Sequence, residues 1–255
     1  FMSIRKHTEE TMFGALLTMA AGSIDAHSYL LHGQVFAGLQ TGNLILLGVR
    51  LGEGRIMQSS RYLISIAAFV CGTVLIRIVQ RGRRLGAHEP LRRRIILGYE
   101  AGMLLIIAAL VPYLPDTADI ALLSFTAAAE LQEFRRLEGA PFTPLMMTGN
   151  LRSLSESAYD VIVYHERSAL RRLRVMTGVL AGFASGALLM SVITPYLHEA
   201  GLIMPAGIIL LALLFAFQDH DEGMSAHGTA GGASDFASGG AESDAQSNAE
   251  NTAQS

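Results

Sequence analysis

Six stretches of the chain are apolar over roughly the length that crosses a bilayer, about 20 residues. They are Met12–Leu31, Tyr62–Val79, Ile95–Val111, Thr117–Leu131, Val175–Thr194 and Leu202–Phe217. In hydrocarbon no water is available to bond a bare N–H or C=O, so such runs satisfy their backbone internally as helices. The basic residues sharpen this reading. If the six runs alternate in direction, Arg50, Arg55 and Arg61 fall on one face. All the rest of the 19 Lys and Arg residues fall on the other. Basic residues collect on the cytoplasmic side, so both termini are predicted to be cytoplasmic. The fourth run is short and ends among Glu130, Gln132 and Glu133.

The composition agrees. The chain is 51% hydrophobic and 16% charged, too apolar for an ordinary soluble domain. A single cysteine, Cys71, excludes an internal disulfide and a cysteine-based metal site, and it is expected to be a small packing residue. Met2 is read as the natural start. The apolar run after it continues past Ala20-Ala21-Gly22, so it reads as a retained first span and not a cleaved signal. Gln218–Ser255 is rich in Gly, Ala, Ser and acidic residues and is expected to be disordered. The expected organisation is a terminus at 1–11, membrane halves at 12–111 and 112–217, and the tail at 218–255.

The two halves resemble each other. Set Ala20 over Ala127, and Asp25 meets Gln132 while Thr41-Gly42-Asn43 meets Thr148-Gly149-Asn150. Further on, Phe69-Val-Cys-Gly72 meets Phe183-Ala-Ser-Gly186. Three runs per half make the second half enter from the opposite side, so the repeats are predicted to be inverted. The expected fold is all-α: a polytopic membrane protein of about six transmembrane helices in two inverted three-helix repeats. Short helices, at Leu44–Leu51 and Leu151–Arg174, follow the two Thr-Gly-Asn turns. Eight spans is the alternative count. Thr and Asn are expected to cap these short helices, and Gly to allow a tight approach.

Helix starts with free N–H groups, gathered around a midplane, form substrate sites in broken-helix transporters. The candidate substrate-binding residues are therefore Asp25, Thr41, Gly42, Asn43, Gln132, Thr148, Gly149 and Asn150. Asp25 carries most weight, since a carboxylate inside a span is costly unless it is paired, protonated or wet. Its blander reading is a buried bond holding spans one and four together. Glu100 lies near the end of its run and is expected to snorkel or pair with Arg93 or Arg94. Asp25 and His27 point to different helix faces by spacing, and His27 and His32 are poorly aligned with each other; no HExxH run is present, so no metal site is expected. Gly178, Gly182 and Gly186 repeat every fourth residue, a helix-packing face. No phosphate-binding loop, nucleophile elbow or Cys–His pair is present, so the chain is not read as an enzyme and no cofactor is expected. The arginine clusters flank spans, where they fix orientation and meet anionic lipid instead of nucleic acid.

The stretch GSIDAHSYLLHGQVFAGLQTGNLILLG resembles the opening block of the YoaK family of bacterial membrane proteins, through Gly22, Asp25, Ala26, Phe36, Thr41, Gly42 and Asn43. LQEFRRLEGAPFTPLMMTGNL is similar to the family's second block, with Gln132, Thr148 and Gly149. The resemblance covers about residues 10–217. It implies a polytopic protein of the bacterial inner membrane with about six spans, and it implies no reaction. The expected function is a small-solute transporter or channel-like protein. A non-transporting assembly or regulatory module is the alternative. The expected partners are the lipid bilayer, a small-molecule or ion substrate and further copies of the chain.

Overall fold

The computed structural model describes residues 2–216, except 84, 111, 112, 135, 138, 139, 142, 143 and 145. The tail expected to be disordered, 218–255, lies outside the described residues, as do Phe1, Arg84 and Arg135. Phe1–Phe215 forms one compact unit.

The helices of that unit are α1 (Met2–Leu31), α2 (Gln40–Gly52), α3 (Ile56–Arg81), α4 (Glu89–Leu110), α5 (Asp116–Glu133), α6 (Met147–Val163) and α7 (Arg167–Leu197). After a 3-10 turn, His198–Leu202, α8 covers 203–216. An antiparallel pair of two-residue strands, β1 (Arg136–Leu137) and β2 (Ala140–Pro141), lies between α5 and α6. The six apolar runs fall on α1, α3, α4, α5, α7 and α8; the short helix expected at Leu44–Leu51 is α2, whereas the one expected at Leu151–Arg174 ends as α6 at Val163, and 167–174 open α7.

Among the described residues, two helical segments are long and apolar enough to cross a membrane, α3 and Arg167–Ala216. The second is 50 residues long, about 75 Å as a straight helix, far more than one crossing. It breaks at His198, whose φ of 46° lies in the left-handed region. In α3 22% of the apolar window is buried inside the protein, and in Arg167–Ala216 33%. These are not the core helices of a soluble fold. Their outward faces carry Ile78, Leu188, Val192 and Leu214, each more than half exposed. Meanwhile Asp25, His27, Asn43, Ser65, Glu100, Ser124 and Glu130 are buried. Apolar groups outside and polar groups inside is the arrangement a lipid solvent selects. Asp25, Glu100 and Glu130 lie on α1, α4 and α5.

α1 packs along α7, and α3 along α5; α2 lies on α3, α6 on α7, and α4 on α5. The α1–α7 contact is close because of small residues. A Cβ at Gly182 or Gly186 would collide with the backbone carbonyls of Ala15 and Met19, and one at Gly22 with that of Phe183. The stripe expected from the four-residue spacing thus faces α1. Gly72 of α3 does the same to α5, where a Cβ would stand 2.6 Å from the Phe125 carbonyl oxygen. Cys71 is exposed on α3 and does not pack inside as its apolar surroundings suggested.

The Thr-Gly-Asn motifs do not precede their helices. α2 starts at Gln40 and α6 at Met147, so each motif lies within a first helical turn. Neither helix has a side-chain cap. The Leu39 carbonyl accepts from the N–H groups of Gly42 and Asn43, and the Met146 carbonyl from those of Gly149 and Asn150. The expected capping role of Thr and Asn is therefore not the one observed. Their helices begin before the motifs instead of after them, and the asparagine side chains turn inward.

Candidate functional site

Asn43 is the buried residue of α2, and Asn150, at the matching fourth position of α6, is buried with Ser157. The rest of each motif is more open: Thr41, Thr148 and Gly149 are exposed, and Gly42 is half-buried. Gly42 allows a close approach, since a Cβ there would stand 3.0 Å from the Phe36 ring.

Asn43 saturates its side chain. Its Oδ1 accepts from the Phe36 N–H at 2.9 Å, and its Nδ2 donates to the Phe36 carbonyl (2.7 Å) and to Ser65 Oγ (2.9 Å). Ser65 of α3 is in turn 2.7 Å from Ser124 of α5. Gln40 joins the same node by accepting from Asn43 Nδ2 at 3.0 Å, and its Nε2 donates to the Ala37 carbonyl at 2.7 Å. A chain of short polar contacts thus runs from the 32–39 connection through α3 into α5. Satisfied networks of this kind fix a single arrangement in a low-dielectric interior.

Asp25 stands beside that node. Its Oδ1 accepts from the N–H of Gly38 at 2.6 Å and of Leu39 at 3.4 Å. It thereby holds α1 to the backbone that enters α2, whereas the blander expectation was a bond to span four. Its Oδ2 is buried with no hydrogen-bond partner. A cleft of about 300 Å³, bounded by Gly22, Asp25, Tyr29, Phe36, Leu39 and Phe183, opens at this point between α1 and α7.

Two further carboxyls lie inside. Glu100 of α4 is 0% exposed and Glu130 of α5 1%. They are within hydrogen-bonding reach of each other, and the charge of Asp25 acts on Glu130. Glu100 neither snorkels nor pairs with Arg93 or Arg94, as its apparent nearness to the helix end suggested. α4 begins at Glu89, which sets Glu100 about three turns deep. Arg93 pairs with Glu89 instead, at 2.8 Å.

Gln132 is buried on the last turn of α5, where its Nε2 donates to Gln80 Oε1 at 3.0 Å. Gln80 returns bonds to the Gln132 carbonyl and to Glu133. Glu133 also accepts from Arg92 Nε at 2.9 Å and 3.0 Å. Ser65 and Gln80 are about 22 Å apart along α3 at 1.5 Å per residue. Asp25 and Gln132 therefore occupy different levels of the structure. Asp25, Gly42 and Asn43 come together; Gln132 belongs to a second cluster at the end of α5, and Thr148, Gly149 and Asn150 start α6.

A third polar cluster joins the end of α1 to the start of α5. Glu199 Oε2, in the 3-10 turn, lies 3.2 Å from His27 Nε2 and 3.6 Å from His32 Nε2. His32 Nδ1 is 2.7 Å from Asp116 Oδ1, and Arg61 Nη1 is 2.8 Å from Asp116 Oδ2. The contact with His27, and the charge of His32 to a smaller degree, hold the Glu199 carboxyl below its usual range against the opposing effect of burial. Sequence spacing placed His27 and His32 out of register. Their ring centroids are nevertheless 5.7 Å apart, at the end of α1, where the His32 N–H still bonds the Ser28 carbonyl before the chain turns at Gly33.

Comparison with known proteins agrees with this picture. The family described as "Protein of unknown function (DUF1275)" matches residues 13–215. The chain is 25% identical over 207 residues to the UPF0700 transmembrane protein YoaK of Bacillus subtilis (strain 168), covering 79% of this chain and 92% of that one. No solved structure matches. With apolar surfaces facing out, buried carboxyls within and a family match over most of its length, the chain belongs to the DUF1275 family of YoaK-like transmembrane proteins.

Proposed function

We propose that the protein is a small-solute transporter or channel-like protein of the bacterial inner membrane, with six spans in two inverted repeats and both termini cytoplasmic. The observation that carries the reading is the convergence of Asp25, Glu100 and Glu130, from three different helices, in the interior. Three carboxyls in hydrocarbon need a proton or a cation to offset their charge, and such groups commonly mark ion and proton pathways. The cleft beside Asp25 is at the small end of ligand-sized sites. Its lining is apolar apart from Asp25, Tyr29 and Ser191. That lining suits a small, mostly apolar solute with a hydrogen-bond donor or a positive group for Asp25.

The packing pattern supports the repeat. Exchanging α1 with α5 and α3 with α7 turns the α1–α7 contact into the α5–α3 contact, and α2 on α3 into α6 on α7. Two apolar clusters follow the same exchange. Val35, Tyr62 and Ile120 pack with Leu46 and Leu47 of α2, while Val175, Met176 and Val179 pack with Phe13 of α1 and with Met147 and Leu154 of α6. Gly72 and Gly186, matched in the sequence repeat, each meet the backbone of the neighbouring first-position helix.

The test is flux. Purified protein in liposomes loaded with a pH-sensitive dye is challenged in turn with a panel of small neutral, cationic and zwitterionic solutes. The expected result is solute-dependent proton or cation movement for at least one class. No movement of solute or ion across the panel contradicts the reading and favours the assembly or regulatory role.

A further inference from the structure

We propose that His27, His32 and Glu199 form a binding site for a divalent transition metal of the zinc class, where α1 ends and α5 begins. One ligand atom from each of the three residues lies within 4.8 Å of the other two. The pair distances, 3.2 Å and 3.6 Å from Glu199 Oε2 to the two Nε2 atoms, suit a shared ion. Tetrahedral zinc with ligands at about 2.0–2.1 Å separates neighbouring ligand atoms by roughly 3.3 Å.

The hydrogen bonding points the same way. His27 Nε2, His32 Nε2 and Glu199 Oε2 are all buried atoms with no hydrogen-bond partner, although they face one another. His27 is 0% and His32 1% exposed. In the neutral ring, His32 donates its Nδ1 proton to Asp116, so its Nε2 is a bare lone pair facing a carboxylate oxygen. Two acceptors in contact repel unless a proton or a metal ion stands between them. Asp116 supplies the outer contact that orients a metal-binding imidazole, and Arg61 holds its other oxygen. Asp119 lies one turn further along α5, within electrostatic reach of His32 and Glu199. Its Oδ1 is buried and unpartnered. A water completes four-coordination. Imidazole and carboxylate ligands without thiolate suit zinc over softer ions. The site needs nothing from the transport reading, since its residues are separate from Glu100 and Glu130.

The test uses the full chain in detergent, stripped with chelator and carrying His220→Gln and His227→Gln to silence the tail. Zinc titration by calorimetry is expected to show a single tight site. Glu199→Gln, at a residue with a 29% exposed side chain, and His32→Gln each lower affinity by more than about 100-fold, and Asp116→Asn lowers it by about 10–100-fold. His88→Gln, at an exposed position outside the cluster, leaves it unchanged. Cobalt bound to the chain with His27, His32 and Glu199 intact gives the intense visible bands of tetrahedral nitrogen–oxygen ligation, a readout that needs no variant at the site to fold. Absence of stoichiometric zinc binding, an octahedral cobalt spectrum, or equal affinity in Glu199→Gln overturns the proposal and leaves an ion-pair cluster.

Discussion

Asn43 and Phe36 are joined by two hydrogen bonds: the Phe36 N–H donates to Asn43 Oδ1 at 2.9 Å, and Asn43 Nδ2 donates back to the Phe36 carbonyl at 2.7 Å. The side chain thus stands in for a backbone strand at the entry to α2. Asn43→Ala leaves the Phe36 N–H without a partner, while the Phe36 carbonyl keeps only the bond from Ser65 Oγ at 3.1 Å and Ser65 loses the bond from Asn43 Nδ2. A simple cap would lose about 1 kcal/mol. Here the expected loss is about 2–4 kcal/mol, because unmet polar groups in a dry interior cost more than the bond was worth. Denaturant unfolding in detergent measures it, and a loss near 1 kcal/mol would mean water reaches the Phe36 backbone.

The α1–α7 seam gives a graded prediction. A Cβ at Gly186 collides with the Met19 carbonyl, whereas one at Gly178 makes an ordinary 3.6 Å contact with the Thr11 side chain. Gly186→Ala is expected to destabilise by about 1–3 kcal/mol, the usual cost of overpacking. Gly178→Ala is expected to be neutral or stabilising by about 0.5–1 kcal/mol through helix propensity. Equal melting temperatures for the two variants would show that the seam is looser than described.

Arg92 and Glu133 fasten the connection between α3 and α4 to the end of α5. The Arg92 side chain is 11% exposed and that of Glu133 1%. Arg92 also donates to the carbonyls of Leu85 and Gly86 at 3.3 Å and 3.1 Å. Removing one partner strands the other charge, so Arg92→Met is expected to cost about 3–5 kcal/mol. Arg92→Met combined with Glu133→Leu should cost less than Arg92→Met alone. A double variant as unstable as the sum of the singles would exclude coupling between the two.

The helices were legible in the sequence and their interior chemistry was not. Runs of apolar residues fix where a helix crosses hydrocarbon, and α3 and α7 follow directly. The four-residue glycine spacing likewise foretold the face of α7 that meets α1. Glu100 was misjudged because the apolar run starts at Ile95, while the helix itself starts at Glu89. The Thr-Gly-Asn motif marked the right place with the wrong role, since capping preferences are local and Asn43 bonds to the chain seven residues back. The histidine cluster was invisible for a different reason. Asp116 is 84 residues from His32, and a search restricted to helix-face spacing finds no such partner. A polar residue recurring at the ends of several spans predicted to share one membrane face is the signal that could have found it.

Orientation is tested by reporters. A fusion after residue 217 is expected to be cytoplasmic, and one within 112–116 periplasmic. A periplasmic reporter at the C-terminal site would overturn the alternation of spans and with it the inverted repeat.

In the proposed transport cycle the buried carboxyls of Glu100 and Glu130 carry the coupling charge. Flux in liposomes, comparing the unaltered chain with Glu130→Gln and Glu100→Gln, tests this most directly. Both substitutions keep size and hydrogen bonding while removing the ionisable group. The unaltered chain is expected to move protons or cations. Glu130→Gln is expected to lose at least about 100-fold, the range seen when a positioned proton-transfer group is removed. Folded, correctly inserted Glu130→Gln and Glu100→Gln proteins that carry flux equal to the unaltered chain would contradict the proposed role of these carboxyls.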